Sequence, residues 1–488
     1  MKSITTLIFA VIATVAFAQK DKKITEKTVT PKQIKSHIQF LASDAMKGRD
    51  TPSPEQRIAA EYLRNQLLLY GVKPFPEYPD YLQPVKMKKV TPPSQGKLTF
   101  DTTDYTINED FLLLNGNNSS WEGEFILLDY ATESEIESVD VSGKMIIAKA
   151  GTASSTSPRE WFYIGRSKRK AAEAAGAEGL IELYNSPQLP WSVLIRYLSG
   201  PRISLADNSD NPYTHLMLNN SNNEALKTLK SSEANLKLLV KGKVTEKFQS
   251  YNVLGWIEGT KKPDEFVVYS AHYDHLGVGT PDSTGDGIYN GARDNAVGSV
   301  TVLSAAENLA KYPTDRSGLF LFFTGEEKGL LGSEWFVDHS PVPLDDIIYC
   351  FNSDGAGYND TGKATIIGLT RTTAEETIRK ACKAYEIKAI EDQMPEQNLF
   401  DRSDNVNFAK KGIPAPTFSM GVTSFDKEIL KYYHQPADEP NTLDYEYLYR
   451  FFRSYVYAAR LIGNMKDIPF WNEGDKYYEA GVELYDKK

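Results

Sequence analysis

Three continuous apolar runs, at 266–270, 319–323 and 347–351, constrain this chain more than any other feature. A strand reads apolar at nearly every position only when both faces are covered, as in a sheet with helices on either side. Helical spacing of apolar residues recurs at about 298–311 and 373–386, among those runs. Strands alternating with helices predict an α/β fold: a mixed sheet, largely parallel at its centre and flanked by helices.

The rest of the chain is arranged around that sheet. KQIKSHIQFLAS, after Pro31, reads as a helix, and a second one is better marked. Ser53-Pro54-Glu55-Gln56 resembles a capping box with proline at the first helical position. Ala59, Tyr62, Leu63, Leu67 and Tyr70 follow at helical spacing, and Gly71 ends the pattern. Two helices are too few to form a domain, so their apolar faces need the later sheet. Between about 85 and 245 the character changes to short strands and turns, such as GEFILLDY and GKMIIAKAG, with a helix, a turn at Gly176 and a strand in RSKRKAAEAAGAEGLIELYN. The stretch SYNVLGWIEG then opens the alternating set. This layout predicts N-terminal helices at 19–85, a smaller β-rich insertion at 86–245 and the main domain at 246–488. A length of 488 residues suits two or three domains.

The opening MKSITTLIFAVIATVAFAQK has Lys2, an apolar run over 7–17 and the small-x-small site Ala16-Phe17-Ala18. That pattern predicts a signal peptide at 1–18 and export, to the periplasm or the medium. The run is short against the ~20 residues a membrane span needs, so no stable span is expected after cleavage; an uncleaved anchor is the alternative. A formal net charge of -10 argues against nucleic acid as a partner. Cys350 and Cys382 are the only cysteines. An oxidising compartment would permit one bond between them, but Cys350 in IIYCF reads more simply as a buried free thiol.

Five short segments carry candidate chemistry: Ser270-Ala271-His272-Tyr273-Asp274-His275, Gly291-Ala292-Arg293-Asp294-Asn295, Thr324-Gly325-Glu326-Glu327, Asn352-Ser353-Asp354-Gly355 and His434-Gln435-Pro436-Ala437-Asp438. Each has an ordinary alternative. The His-x-Asp could be a surface loop, Glu326-Glu327 solvated charge, and His434 a plain loop residue. Asp294-Asn295 could cap the following helix, and Asp354 could serve a turn with Gly355. Placement weighs against these readings. His272, Glu326-Glu327 and Asp354 all follow predicted strands, and ligands of open α/β sheets bind at the carboxyl ends of strands.

Taken in order, the five segments resemble the zinc peptidases of family M28. LASDAMKGRDTPSPEQRIAAEYL is similar to that family's N-terminal helices. GKMIIAKAG with KAAEAAGAEGLIELYN resembles the protease-associated (PA) domain inserted in many members. The resemblance implies a zinc-exopeptidase fold, two Zn2+ per chain and peptide substrates. It also implies the roles: His272 and Asp354 on one metal, Glu327 and His434 on the other, Asp294 bridging, Asp274 orienting His272 and Glu326 as general base. Arg293, Val297 and Ser403-Asp404-Asn405 depart from the usual pattern at positions that are not ligands. His275 and Asp438 stand outside the ligand set as neighbours, and His37, His215 and His339 find no place in it. An aminopeptidase is the leading expectation. A carboxypeptidase of the same family, a glutaminyl cyclase-like acyltransferase with one zinc and a non-catalytic PA-domain binding protein are the alternatives.

Overall fold

The computed structural model describes residues 19–155, 157–207, 211–231 and 235–486, so the leader expected at 1–18 lies outside the described residues. Among the described residues, no helix is long and apolar enough to cross a membrane. The chain divides into two compact units, one comprising residues up to 86 together with 249–488, the other residues 87–248.

After a helical stretch over 19–28, the first unit carries helices α1 (Pro31–Leu41) and α2 (Pro54–Tyr70). Thr30 and Ser53 cap them through side-chain oxygens that accept from Gln33 N–H and Gln56 N–H, each with proline in the first helical position. The capping box expected at Ser53 is only half formed. The Gln56 amide does not reach back to the cap but lies 2.6 Å from Thr324 Oγ1, 2.9 Å from Tyr273 OH and 3.0 Å from Ser250 Oγ, a buried polar cluster that competes for it. Ala59, Leu63 and Leu67 line the buried face of α2, and Gly71 ends it in the left-handed conformation.

Eight strands follow: β1 (Leu82–Thr91), β2 (Val244–Ile257), β3 (Lys262–His272), β4 (Arg316–Phe323), β5 (Ile347–Ser353), β6 (Lys363–Ile367), β7 (Lys388–Glu391) and β8 (Thr417–Met420). The chain leaves this unit along β1 and re-enters it along β2. The strands run in the order β7-β6-β8-β5-β3-β4-β2-β1. The central four, β4, β3, β5 and β8, are mutually parallel, while β2 is antiparallel to β4 and β6 to β8. The sheet is therefore mixed with a parallel centre, flanked by α3 (Val297–Lys311), α4 (Leu331–Asp338), α5 (Glu375–Lys383) and α6 (Tyr445–Gly463).

Alternation along the central strands sorts their side chains to two cores. Val267, Tyr269, Phe320 and Phe322 pack with Val300, Leu303, Phe451 and Tyr455 on one face. Val268, Leu319, Leu321 and Phe323 pack with Phe336, Phe408 and Trp471 on the other. Each such side chain contributes roughly 1.5–3 kcal/mol on leaving water. Both faces being covered is why β4 reads RSGLFLFF with every residue buried. Cys350 and Cys382 are both buried and free.

The second unit holds an eight-stranded sheet ordered Thr103–Thr106, Gln95–Phe100, Asn235–Lys241, Ser119–Leu127, Met145–Lys149, Gly179–Tyr184, Thr214–Asn219, Phe111–Asn115. Phe100, Phe111, Ile147, Ile181 and Leu216 form its core. Within this unit Glu182 is fully buried between Lys168 Nζ and His215 Nε2, each at 3.0 Å.

Candidate metal centre

Parallel pairing brings the carboxyl ends of β3, β4 and β5 to one edge, with His272 in register with Phe323 and Ser270 with Asn352. His272 is the last residue of β3; Glu326 and Glu327 follow β4, and Asp354 follows β5. Asp294 arrives from the turn that precedes α3. That turn begins at Gly291, which has φ 58°, and a Cβ there would stand 2.2 Å from Asp294 O and 2.6 Å from the His275 ring. Asn295, not Asp294, serves the helix start: its Oδ1 accepts from Gly298 N–H and its Nδ2 donates to Ser353 O. Asp294 is thereby left for the centre.

The seven residues singled out from the sequence converge. His272 Nε2 lies 3.2 Å from Asp354 Oδ1, 3.3 Å from Asp294 Oδ1 and 3.9 Å from Glu326 Oε2. His434 Nε2 lies 3.2 Å from Asp294 Oδ2 and 3.6 Å from Glu327 Oε2. Asp294 thus offers one oxygen to each imidazole. Ligand-capable atoms of His272, Glu326 and Asp354 lie within 4.8 Å of one another, as do those of His275, Asp294 and Glu327.

Surrounding groups aim these side chains. His272 Nδ1 is 3.1 Å from the Asp274 carbonyl, to which its N–H donates, and this turns Nε2 to the carboxylates. The Asp274 carboxylate is farther, at 3.8 Å, and instead accepts from Glu326 N–H and Thr51 Oγ1. Ser403 Oγ donates to Asp354 Oδ2 at 2.5 Å, and His275 Nδ1 stands 2.7 Å from Glu327 Oε1. The Asp438 carboxylate accepts from the N–H groups of Arg293 and Asp294 and from Arg293 Nη1, while the Arg293 guanidinium sits 3.7 Å over the Tyr432 ring. Arg293 is therefore accommodated by a carboxylate and an aromatic face.

The electrostatics show a centre short of positive charge. Burial pushes Glu326 well above the usual carboxylate range, only partly opposed by His272. Burial likewise raises Asp274 to about 6 and Asp404 to about 7. Burial opposes charge on His272 too, yet Glu326, Asp354 and Asp294 outweigh it and hold the imidazole well above its ordinary value. For Asp294, burial is outweighed by hydrogen bonds from His272 and His434, which hold its carboxyl well below. Carboxylates that draw protons onto imidazoles in this way are a set that divalent cations would neutralise. Nitrogen and oxygen donors without thiolate suit zinc at a catalytic centre. The residues present fit two such ions.

A cavity of ≈390 Å3 opens on this cluster, with Ile367, Leu399, Val422 and Phe425 among its apolar walls. Sequence reading left His275 and Asp438 outside the ligand set; they touch Glu327 and the Asp294 turn. It gave no site role to Thr51 or Ser403, because nothing local marks a hydroxyl that meets a carboxylate hundreds or tens of residues away. The remaining histidines do not join the centre. His37 lies between the Tyr62 and Tyr70 hydroxyls, His215 pairs with Glu182, and His339 stacks on Trp335.

A parallel-centred sheet that gathers imidazoles and carboxylates at one edge, beside an open cavity, has the make-up of a metallopeptidase domain. Residues 252–459 match the family model Peptidase family M28. Among curated proteins, the chain is 30% identical over 276 residues to Aminopeptidase YwaD of Bacillus subtilis (strain 168), covering 56% of this chain and 54% of that protein. It is 25% identical over 213 residues to a probable leucine aminopeptidase of Arthroderma otae, covering 42% and 55%. The chain thus spans about half the length of the curated relatives it matches. Among solved structures, an aminopeptidase from Aneurinibacillus sp. strain AM-1 superposes with a TM-score of 0.58 at 21% identity, over 92% of this chain and 97% of that one. The zinc aminopeptidase BSAP from Bacillus subtilis gives 0.50 at 18% identity over the same shares. These structures share the fold.

Proposed function

We propose that this chain is an exported two-zinc aminopeptidase that releases N-terminal residues from peptides. The observation that carries the reading is Asp294, which places one oxygen near His272 and the other near His434 while Glu326 stands free beside them. His272 and Asp354 would hold one zinc, Glu327 and His434 the other, and Asp294 both. When bound, the pair would polarise the scissile carbonyl and acidify the attacking water.

The remaining work falls to the chain's own groups. Glu326, as a carboxylate whose burial raises its proton affinity, takes the proton of the attacking water as the new C–O bond forms. It then delivers that proton to the amine nitrogen as the C–N bond breaks. Asp274 anchors the Glu326 backbone N–H, and its carbonyl fixes the His272 tautomer. The cavity wall carries Asp294, Glu326, Glu327, Asp354 and Asp401 against Arg402 alone among lysines and arginines. Asp294, Glu327 and Asp354 would be neutralised by the two ions and Asp401 pairs with Lys476 Nζ at 2.8 Å, so the aminopeptidase reading is preferred to the carboxypeptidase one on resemblance rather than on wall charge. The names of the similar aminopeptidases agree with it. Export rests on the leader-like opening. Assignment of the inserted unit to the PA class rests on its GKMIIAKAG and KAAEAAGAEGLIELYN stretches.

Aminoacyl-nitroanilides assayed beside N-blocked peptides test the direction of cleavage. Free amino acids released from the unblocked substrates alone are expected. Turnover confined to blocked peptides would point to the carboxypeptidase, and pyroglutamate without free amino acid to the cyclase.

A further inference from the structure

The segment Gly48–Thr51 lies far from the five chemical motifs in sequence, yet each of its residues reaches a loop of the centre. Gly48 has φ 66° and passes so close to the 277–289 hairpin that a Cβ would stand 2.3 Å from Tyr289 O. The Arg49 side chain is buried, with 1% exposure. Its Nε donates to Tyr273 O at 2.9 Å, its Nη1 to Asn290 O at 2.7 Å and to Leu41 O, and its Nη2 to Gly291 O at 3.0 Å. Tyr273 lies between His272 and Asp274, and Asn290-Gly291 opens the turn that carries Asp294. Asp50 bridges to His275 through the backbone and pairs with Lys328 Nζ at 2.5 Å, next to Glu327. Thr51 Oγ1 donates to Asp274 Oδ2 at 3.1 Å.

We propose that Gly48–Thr51 is a clasp for the metal centre and that Arg49 is its positioning residue, joining the His272 strand end to the Asp294 turn. The inference rests on the two-metal reading above. Four backbone carbonyls take up the guanidinium fork, a geometry a lysine ammonium cannot reproduce. Its fixed charge also lies in the field of Asp274, Asp294, Asp438 and Glu327, so it holds the loops together and tempers their mutual repulsion. Groups that aim metal ligands from outside typically change metal affinity by about 10–100-fold when removed.

The test compares full-length wild type, Arg49→Lys and the near-isosteric Thr51→Val. Apo protein is titrated with Zn2+ against a competing chelator and with Co2+ by visible absorption, with circular dichroism as the check on folding. Arg49→Lys is expected to fold, to bind the two ions about 10–100-fold more weakly and to give altered Co2+ bands. A folded Arg49→Lys with wild-type affinity and bands overturns the clasp. Should Arg49→Lys fail to fold, Thr51→Val decides: altered Co2+ bands support the clasp, and unchanged bands overturn it. Wild type that binds neither ion overturns the two-metal reading itself, a failure distinct from two normal sites in both variants.

Discussion

His275 places Nδ1 2.7 Å from Oε1 of Glu327, whose other oxygen faces His434 at 3.6 Å. The imidazole is fully buried, and its Nε2 finds no partner among the described residues. Its polar contact with Glu327 therefore aims a carboxylate at the centre. His275→Phe should keep the fold and lower zinc affinity by about 10–100-fold. Metal content after dialysis against a chelator checks this; two zinc per chain retained at wild-type affinity would count against it.

Glu326→Gln removes the proton acceptor and leaves the proposed ligands in place. Its kcat should fall by about 10²–10⁴-fold, the usual weight of a general base, with zinc content unchanged. Steady-state assays on an aminoacyl-nitroanilide, paired with metal analysis, separate that outcome from simple metal loss.

Asp294→Ala removes the carboxylate shared by the two imidazoles. In wild type, added zinc should raise Tm, because a ligand that binds only the folded state stabilises it. The variant should lose most of that rise along with peptidase activity. A full zinc-dependent shift in Asp294→Ala would contradict a bridging role. Chelation of wild type should abolish activity, and restored zinc should return it.

In the second unit, Lys168→Met should destabilise by about 3–5 kcal/mol, because it leaves Glu182 charged, buried and short of one partner. Burial pushes Glu182 upward, but His215 and Lys168 overcome that and hold its carboxyl below the usual value. The stabilisation is then present above the unfolded carboxylate pKa, about 4.3, and fades as pH falls through the lower folded value. Urea unfolding of wild type and variant at neutral and acid pH checks both: the gap between them should shrink on acidification.

Much of the fold was legible from local patterns. The runs at 319–323 and 347–351 are apolar throughout because β4 and β5 are covered on both faces, and the breaks at Ser53 and Gly71 are backbone-level signals. The half-formed capping box was not legible. Gln56 is drawn away by Ser250, Tyr273 and Thr324, none of them near it in sequence. The same holds for the choice between Asp294 and Asn295 as the residue that serves the helix start. Either could do so in isolation; the neighbouring Ser353 carbonyl and the Asp438 carboxylate select Asn295.

By itself the sequence determined which side chains were available and that three of the motifs follow strands, since alternation and apolar runs are properties of neighbouring residues. Only tertiary structure decided how they are aimed. Whether His272 turns Nε2 inward, which oxygen of Asp354 meets Ser403, and that Arg49 grips both the Asp294 turn and the His272 strand end are set by contacts between residues distant in the chain. Hydrogen-bond geometry depends on position to within fractions of an ångström, and no local pattern carries that information.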